Sequence, residues 1–402
     1  MNIFKAGFCR LYQGVMRLML PILPYREPKI IETNEDLVKT LKELNHNNIL
    51  LVTDKGIKNL GLTQKIEDEI KKANLNLVVF SEVVPNPTTQ NVADALKIYK
   101  ENNCTALIAF GGGSVMDCAK AVGARVARPN KPLSKMKGIL KVGKKIPTLI
   151  AVPTTAGTGS ETTLAAVITD AETRHKYAIN DFPLIPKYAL LDANLTLGLP
   201  AGLTATTGMD ALTHAIEAYI GRSTTKRTRK CAMEAVKLIF ENLPKVYLDG
   251  KDVEARQNML KAAYLAGVAF TQSYVGYVHA IAHSIGGKYN TAHGLANAVI
   301  LSYILESYGK KIYKKLYKLG LYSGLFAEET SIETGARLFI EHIKEMNKEM
   351  NIPKHLPEVK LEDIPELAKT AEKEANPLYP VPVLYISKEL ERIYIKVKGE
   401  DN

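Results

Sequence analysis

In the first half of the chain, apolar residues come in short unbroken runs: Asn48-Ile49-Leu50-Leu51-Val52, Leu77–Phe80, Ala106–Phe110, Leu149–Val152 and Tyr188–Leu191. Between the first three runs lie stretches with apolar residues three and four apart, Ile57–Ala73 and Val92–Tyr99. A run of four or five apolar residues is too short for a helix, and when nothing polar alternates with it both faces are buried. Such strands joined by helices predict a parallel sheet with helices on both faces. After Leu199-Pro200-Ala201-Gly202 the strand pattern stops, and Ala205–Ile220, Lys226–Phe240, Val253–Phe270, His279–Gly286 and Leu295–Tyr308 all carry the helical period. The pattern therefore predicts an α/β domain over residues 28–198 and an all-α domain over 199–402, preceded by a helical extension, 1–27. The length of 402 residues agrees with two cores. No internal repeat or low-complexity segment is seen.

The extension carries Lys5, Arg10 and Arg17, no acidic residue, and the apolar run Leu18-Met19-Leu20-Pro21-Ile22-Leu23. Arg17 interrupts the apolar stretch and no small-x-small cleavage pattern follows, so neither a signal peptide nor a membrane span is expected. A basic amphipathic helix lying on a membrane surface remains one reading. The expectation is the other, a helix packed on its own fold or on a partner subunit.

Composition places the chain among ordinary folded proteins, with 46% hydrophobic and 24% charged residues. The net charge of +11 is compatible with nucleic acid, an anionic membrane or anionic small molecules. Its basic residues are scattered on helix faces, as in Lys226–Lys230 and Lys310–Lys318, without aromatic interleaving, so no nucleic-acid partner is expected. Cys9, Cys104, Cys118 and Cys231 are far apart with no C-x-x-C pair, which indicates neither a disulfide framework nor a thiolate metal site; a cytoplasmic location fits best.

Three features carry chemistry. In Ala109-Phe110-Gly111-Gly112-Gly113-Ser114-Val115-Met116-Asp117 an apolar strand runs into three glycines and a helix that opens on a Ser-x-x-Asp pattern like a capping box. Backbone N–H groups there, with the positive end of the helix dipole, suit the pyrophosphate of a dinucleotide; a tight turn without ligand has the same composition. The spacing is not G-x-G-x-x-G, and the acid that would meet a ribose diol lies upstream, at Asp54 after the run Ile49–Val52. A plain turn former is the alternative for Asp54. The second feature, Pro153-Thr154-Thr155-Ala156-Gly157-Thr158-Gly159-Ser160-Glu161, again follows a strand and concentrates hydroxyls and glycines. Two such loops at strand ends point to one shared ligand crevice. The third is a set of polar residues in the helical half. Asp210 and His214 are four apart on one helix, His279 and His283 on another, and His293 follows, so that four of the chain's eight histidines fall in Ala-, Ile- and Leu-rich helices. A metal site is the economical reading, although spacing alone does not say whether His279 or His283 is the ligand.

Gly111–Lys120, the Asp210-x-x-x-His214 helix within Thr204–Tyr219, and the H-x-x-x-H…H-G-x-x-N pattern of His279–Asn297 together resemble the iron-containing (group III) alcohol dehydrogenase family, over about residues 28–310. The resemblance implies a dinucleotide-binding domain, a helical domain and an active-site cleft between them. It assigns a metal to Asp210, His214, His279 and His293, and a proton relay beside it to His283. Cofactor contacts carry over to Asp54, Asn86, Gly111, Gly112, Gly113, Ser114, Asp117, Thr154, Thr155, Thr158 and Lys176. Asp54, where some relatives have Gly, points to NAD rather than NADP. Ser284, Ala292 and Ser302 stand where many members have Pro. The implied reaction interconverts a small alcohol and its aldehyde or ketone by hydride exchange with nicotinamide, with the substrate oxygen on the metal. Three His and one Asp close a tetrahedron for Zn²⁺ but leave room on Fe²⁺, so Fe²⁺ is favoured and Zn²⁺ in purified material is compatible. A homodimer or larger homo-oligomer is implied as well. The rival readings are a polyol dehydrogenase or dehydroquinate-synthase-like lyase of the same architecture, and a non-catalytic dinucleotide-binding module.

Overall fold

The computed structural model describes residues 3–399. One unit spans residues 24–197; the other joins the N-terminal segment up to Leu23 to everything from Gly198 onward.

The first unit contains strands β1 (Lys29–Ile31), β2 (Asn48–Val52), β3 (Asn76–Phe80), β4 (Ala106–Gly111), β5 (Gly138–Ile139), β6 (Thr148–Pro153), β7 (Ala165–Thr169), β8 (Lys176–Asn180) and β9 (Tyr188–Leu190). Helix α1 (Ile3–Met19) precedes it in the chain, and α2 (Asn34–Glu43), α3 (Lys55–Asn59), α4 (Gln64–Lys72), α5 (Thr89–Glu101) and α6 (Gly113–Ala127) lie between its strands. Six strands form a sheet in the order β1-β9-β6-β4-β2-β3, every pair parallel. The unbroken apolar runs are explained by its two faces. Leu50, Val52, Leu107, Ala109, Leu149 and Ala151 pack with α5 and α6, while Ile49, Leu51, Ile108, Phe110, Ile150 and Val152 pack with α2, α3 and α4. From β2 the chain moves outward to β3, and from β4 it moves the opposite way to β6. The carboxyl ends of β2 and β4 thus flank the point at which strand order reverses, where open α/β sheets bind their ligands.

A second, three-stranded sheet, β5-β8-β7, was not expected; β7 and β8 form an antiparallel pair from Thr169↔Lys176 to Ala165↔Asn180. The segment Ile57–Ala73 is two helices, α3 and α4, because Gly61 turns the chain with φ +70°.

The second unit is helical: α1, then α7 (Ala201–Ile220), α8 (Lys226–Leu248), α9 (Val253–Ser273), α10 (Tyr277–Tyr289), α11 (His293–Tyr308), α12 (Tyr313–Tyr322), α13 (Ile332–Glu349), α14 (Ile364–Ala375) and α15 (Ser387–Lys398). Helix α7 is buried along nearly its whole length, which explains its Ala, Ile and Leu content. Two glycines permit close helix contacts around it. A Cβ on Gly208 would stand 2.4 Å from Leu243 Cδ1 of α8, and one on Gly294 of α11 would stand 2.4 Å from the Thr206 carbonyl oxygen of α7. No helix among the described residues is long and apolar enough to cross a membrane.

Candidate metal centre

Three helices of the second unit converge. Helix α7 presents Asp210 and His214, α10 presents His279 and His283, and α11 begins with His293, which the contact at Gly294 holds near α7. Asp210 Oδ1 lies 3.5 Å from His293 Nε2, 3.8 Å from His279 Nε2 and 4.0 Å from His214 Nδ1. Ligand atoms set about 2.1 Å from one ion at tetrahedral angles stand ~3.4 Å apart, so these separations are those of a metal cradle. One ligand atom each from Asp210, His279 and His293 lies within 4.8 Å of the others; His214 is not in that group, its ring stacked on Phe270 and His279 at 4.1 and 4.4 Å.

The donor atoms fit a cation on a further ground. His214 Nδ1 and His279 Nε2 are buried without a hydrogen-bond partner, which costs about 1–3 kcal/mol each unless something accepts their lone pairs. Burial lowers the pKa of His279 well below the ordinary imidazole value, reinforced by the neighbouring histidines, and burial likewise lowers that of His214 against the pull of Asp210. Both shifts favour the neutral ring, the form that binds a metal. Asp210, His214 and His279 are buried, whereas the His293 side chain is 40% exposed, so the cluster opens on that side.

Residues around the cluster orient it. Glu217, one turn past His214, accepts from His279 Nδ1 (2.7 Å), Gly276 N and Val278 N (2.8 Å each). It fixes the imidazole and caps the first turn of α10 at once. Burial pushes its pKa up to about 7. Asn297 Nδ2 donates to Asp210 Oδ1 (2.7 Å) and lies 3.0 Å from His293 Nε2. Neither role is visible in the motifs alone, although Asp210, His214 and Glu217 follow one another on one helix face at steps of four and three. His283 sits beside the cluster, its ring 5.1 Å from that of His293, and its Nδ1 pairs with Glu374 Oε1 at 2.6 Å. Burial would raise the Glu374 pKa, but His283 and a hydrogen bond from Tyr379 hold it below the ordinary carboxylate value. Ser284 bonds the Ile281 carbonyl and the hydroxyl of Tyr394 (2.5 Å), tying α10 to α15.

In the first unit most of the remaining site residues follow the carboxyl ends of β2, β3, β4 and β6, while Lys176 opens β8 of the three-stranded sheet. Asp54 caps α3, its Oδ1 accepting from Ile57 N at 2.9 Å. Asn86, in the left-handed region at φ +58°, accepts from Lys176 Nζ at 2.7 Å. A Cβ on Gly111 would fall 2.6 Å from Val115 Cγ2, so glycine lets α6 start directly against the strand. Gly112 and Gly113 lie against the second loop, where a Cβ would come 3.5 Å from Thr155 Oγ1 and 3.1 Å from Thr158 Cγ2. Thr154 N donates to the Gly111 carbonyl.

The capping box expected at Ser114 and Asp117 does not form. Gly112 is the cap residue, so Asp117 lies a full turn inside the helix, out of reach of the cap N–H. Its carboxylate instead accepts from Ser160 Oγ (3.2 Å) and Val167 N (3.1 Å), and desolvation raises its pKa to about 6 against the pull of Lys120. Lys120, fully buried, donates to the Ser160 and Ala165 carbonyls and to the Ser160 and Thr163 hydroxyls, so Asp117 and Lys120 brace the second loop from behind.

Comparison with known proteins follows the same division. The family profile for iron-containing alcohol dehydrogenase matches residues 29–193, and that for the C-terminal part of the Fe-containing alcohol dehydrogenase family matches residues 204–397. The chain is 38% identical to 1,3-propanediol dehydrogenase of Citrobacter freundii over 83% of its length and 87% of the relative's. It is 41% identical to NAD-dependent methanol dehydrogenase of Bacillus methanolicus over 66% of its length and 69% of the relative's. Among solved structures, a 1,3-propanediol oxidoreductase aligns with TM-score 0.88 and 34% identity, covering 93% of this chain and 98% of that one. Sulfoacetaldehyde reductase from Bifidobacterium kashiwanohense in complex with NAD⁺ aligns with TM-score 0.83 and 26% identity, covering 94% and 99%.

Proposed function

The chain belongs to the iron-containing alcohol dehydrogenase family, an NAD-dependent interconversion of alcohols with carbonyl compounds being its activity, and on that premise we propose the particulars of its chemistry. A divalent cation is held by Asp210, His214, His279 and His293, Fe²⁺ in preference to Zn²⁺ because four protein ligands fill a tetrahedron while Fe²⁺ accepts further ones. When bound, that cation supplies Lewis acidity toward the substrate oxygen, on which negative charge develops during hydride transfer. The observation that carries this reading is the pair of buried imidazoles with unpartnered nitrogens around the Asp210 carboxylate.

The chain's own residues do the rest. Glu217 keeps the Nδ1 proton on His279, so that Nε2 presents its lone pair to the cluster. His283, paired with Glu374 and exposed beside His293, takes or returns the hydroxyl proton; the carboxylate supports the imidazolium that forms. Gly111, Gly112, Gly113 and Ser114 present backbone N–H groups to the cofactor pyrophosphate, Asp54 accepts from the ribose diol and repels a 2′-phosphate, and Asn86, Asp117, Thr154, Thr155, Thr158 and Lys176 contact or support the same nucleotide. NAD is accordingly the cofactor, with short-chain alcohols, the class named in the relatives, and the corresponding aldehydes as substrates.

The test is NADH oxidation by a panel of short aldehydes after anaerobic loading with Fe²⁺. Turnover with several aldehydes, lost in His293→Ala together with most of the bound metal, is the expected result. NADH binding with no aldehyde reduced removes the catalytic reading and leaves a dinucleotide-binding module.

A further inference from the structure

Helix α1 is covered on one side only. Cys9, Gln13 and Leu20 are buried on the helical unit; Gln13 Nε2 donates to the Tyr379 carbonyl at 2.7 Å, and the Arg10 guanidinium donates to the Val381 and Pro382 carbonyls. On the other side Phe8, Leu11, Val15, Leu18 and, just past the helix, Ile22 follow one another at steps of three and four. They are 59, 68, 51, 79 and 71% exposed. Phe4, one step earlier, continues the spacing. Alternating steps of three and four are the seam repeat of paired helices. With Phe4, itself 87% exposed, these residues leave on the order of 700 Å² of largely apolar surface in water. That exceeds the few hundred Å² usual for a patch on a monomer and approaches the ~800 Å² per partner of a standard interface. Gly7 and Gly14 flank the seam with nothing within 4 Å of a Cβ built on either, so another backbone can come close.

A lipid surface matches this face less well. An interfacial helix sets its cations beside its apolar stripe, but here Lys5 is tied to Glu372 and Arg10 to backbone carbonyls, leaving Arg17 of the three to meet headgroups. A second copy of the same seam matches fully. We propose that α1 pairs two copies of this chain about a two-fold axis, the helices antiparallel, with Leu11 facing Leu11, Phe8 facing Val15 and Phe4 facing Leu18. The antiparallel sense sets each aromatic ring against an aliphatic side chain, opposes the helix dipoles favourably and keeps the two Arg17 residues apart.

The test uses the full chain. Leu11→Glu halves the mass measured by sedimentation relative to the unaltered protein, with thermal midpoint and NADH-linked activity unchanged, because Leu11 is in solvent in the single chain. Leu11→Cys, treated with copper phenanthroline in air, forms a covalent dimer of two 44.3 kDa chains, since the native cysteines are buried. Val15→Cys does not, because it faces Phe8. The proposal is overturned if Leu11→Glu keeps the original mass, if the unaltered protein sediments as a single chain, or if Val15→Cys links as readily as Leu11→Cys. Binding to phosphatidylglycerol vesicles that Leu11→Glu abolishes without any change of mass overturns it in favour of lipid.

Discussion

Glu217→Gln separates the orienting role of this carboxylate from mere occupancy of space. The carboxylate serves three donors at once, Gly276 N, Val278 N and His279 Nδ1. Glutamine offers a single oxygen, and its NH₂ must then face one of those N–H groups. At least one buried donor loses its partner, which costs about 1–3 kcal/mol of stability. If the lost partner is that of His279 Nδ1, the imidazole is no longer held in tautomer and direction, and affinity for the metal falls by roughly 10–100-fold, or ~1.4–2.8 kcal/mol. The measurement is an anaerobic Fe²⁺ competition titration against a chromophoric chelator, run beside thermal melts of the metal-free protein. A lower melting midpoint with the metal affinity within twofold of the unaltered chain would leave Glu217 no orienting role and reduce it to a cap for α10.

Other consequences are equally open to measurement. Gly294→Ala drives a Cβ to 2.4 Å from the Thr206 carbonyl, so α11 must move away from α7 and carry His293 with it; metal retained through gel filtration should fall, and full occupancy would show that the close approach is not needed. Asp54→Asn keeps the cap on α3 but removes the negative charge, so the ratio of NADPH to NADH use should rise without loss of thermal stability; an unchanged ratio removes Asp54 from cofactor choice. Burial raises the pKa of Glu161 from 4.5 to about 7. Between those values the folded chain holds more protons than the unfolded one, and this residue's contribution to stability, full below pH 4.5, is lost as pH rises through 7. Urea unfolding of Glu161→Gln across that interval should show a shallower decline with pH, and an identical slope would contradict the assignment.

What the sequence disclosed follows from how completely each element is buried. Ile49–Val52, Ala106–Phe110 and Leu149–Val152 lie in the middle of the sheet with both faces covered, so they read as unbroken runs. The pair β7 and β8 buries only alternate residues over five positions each, and its polar half merges with the loops around it. Helix α8 continues through Pro244 for a further turn and more past Phe240, its tertiary contacts overriding the local signal. Beyond Tyr308 the pattern of apolar residues does not separate α12, α13, α14 and α15 from one another. At the candidate metal centre the helix period placed Asp210 with His214 and His279 with His283, but only the fold brings α7, α10 and α11 to one point. Glu217 stood in view on the same face. Its role depends on α10 starting opposite it, at Gly276, a contact 59 residues away in the chain that no local pattern encodes.

The chemistry proposed for this chain needs one carboxylate and three imidazoles to share one ion. Anomalous difference maps collected on both sides of the iron and zinc absorption edges, from crystals grown anaerobically with Fe²⁺, would locate that ion and identify it. One iron peak per chain is expected, about 2.0–2.3 Å from an oxygen of Asp210 and from one ring nitrogen each of His214, His279 and His293. A peak elsewhere, no peak, or a site that leaves out any of the four contradicts it.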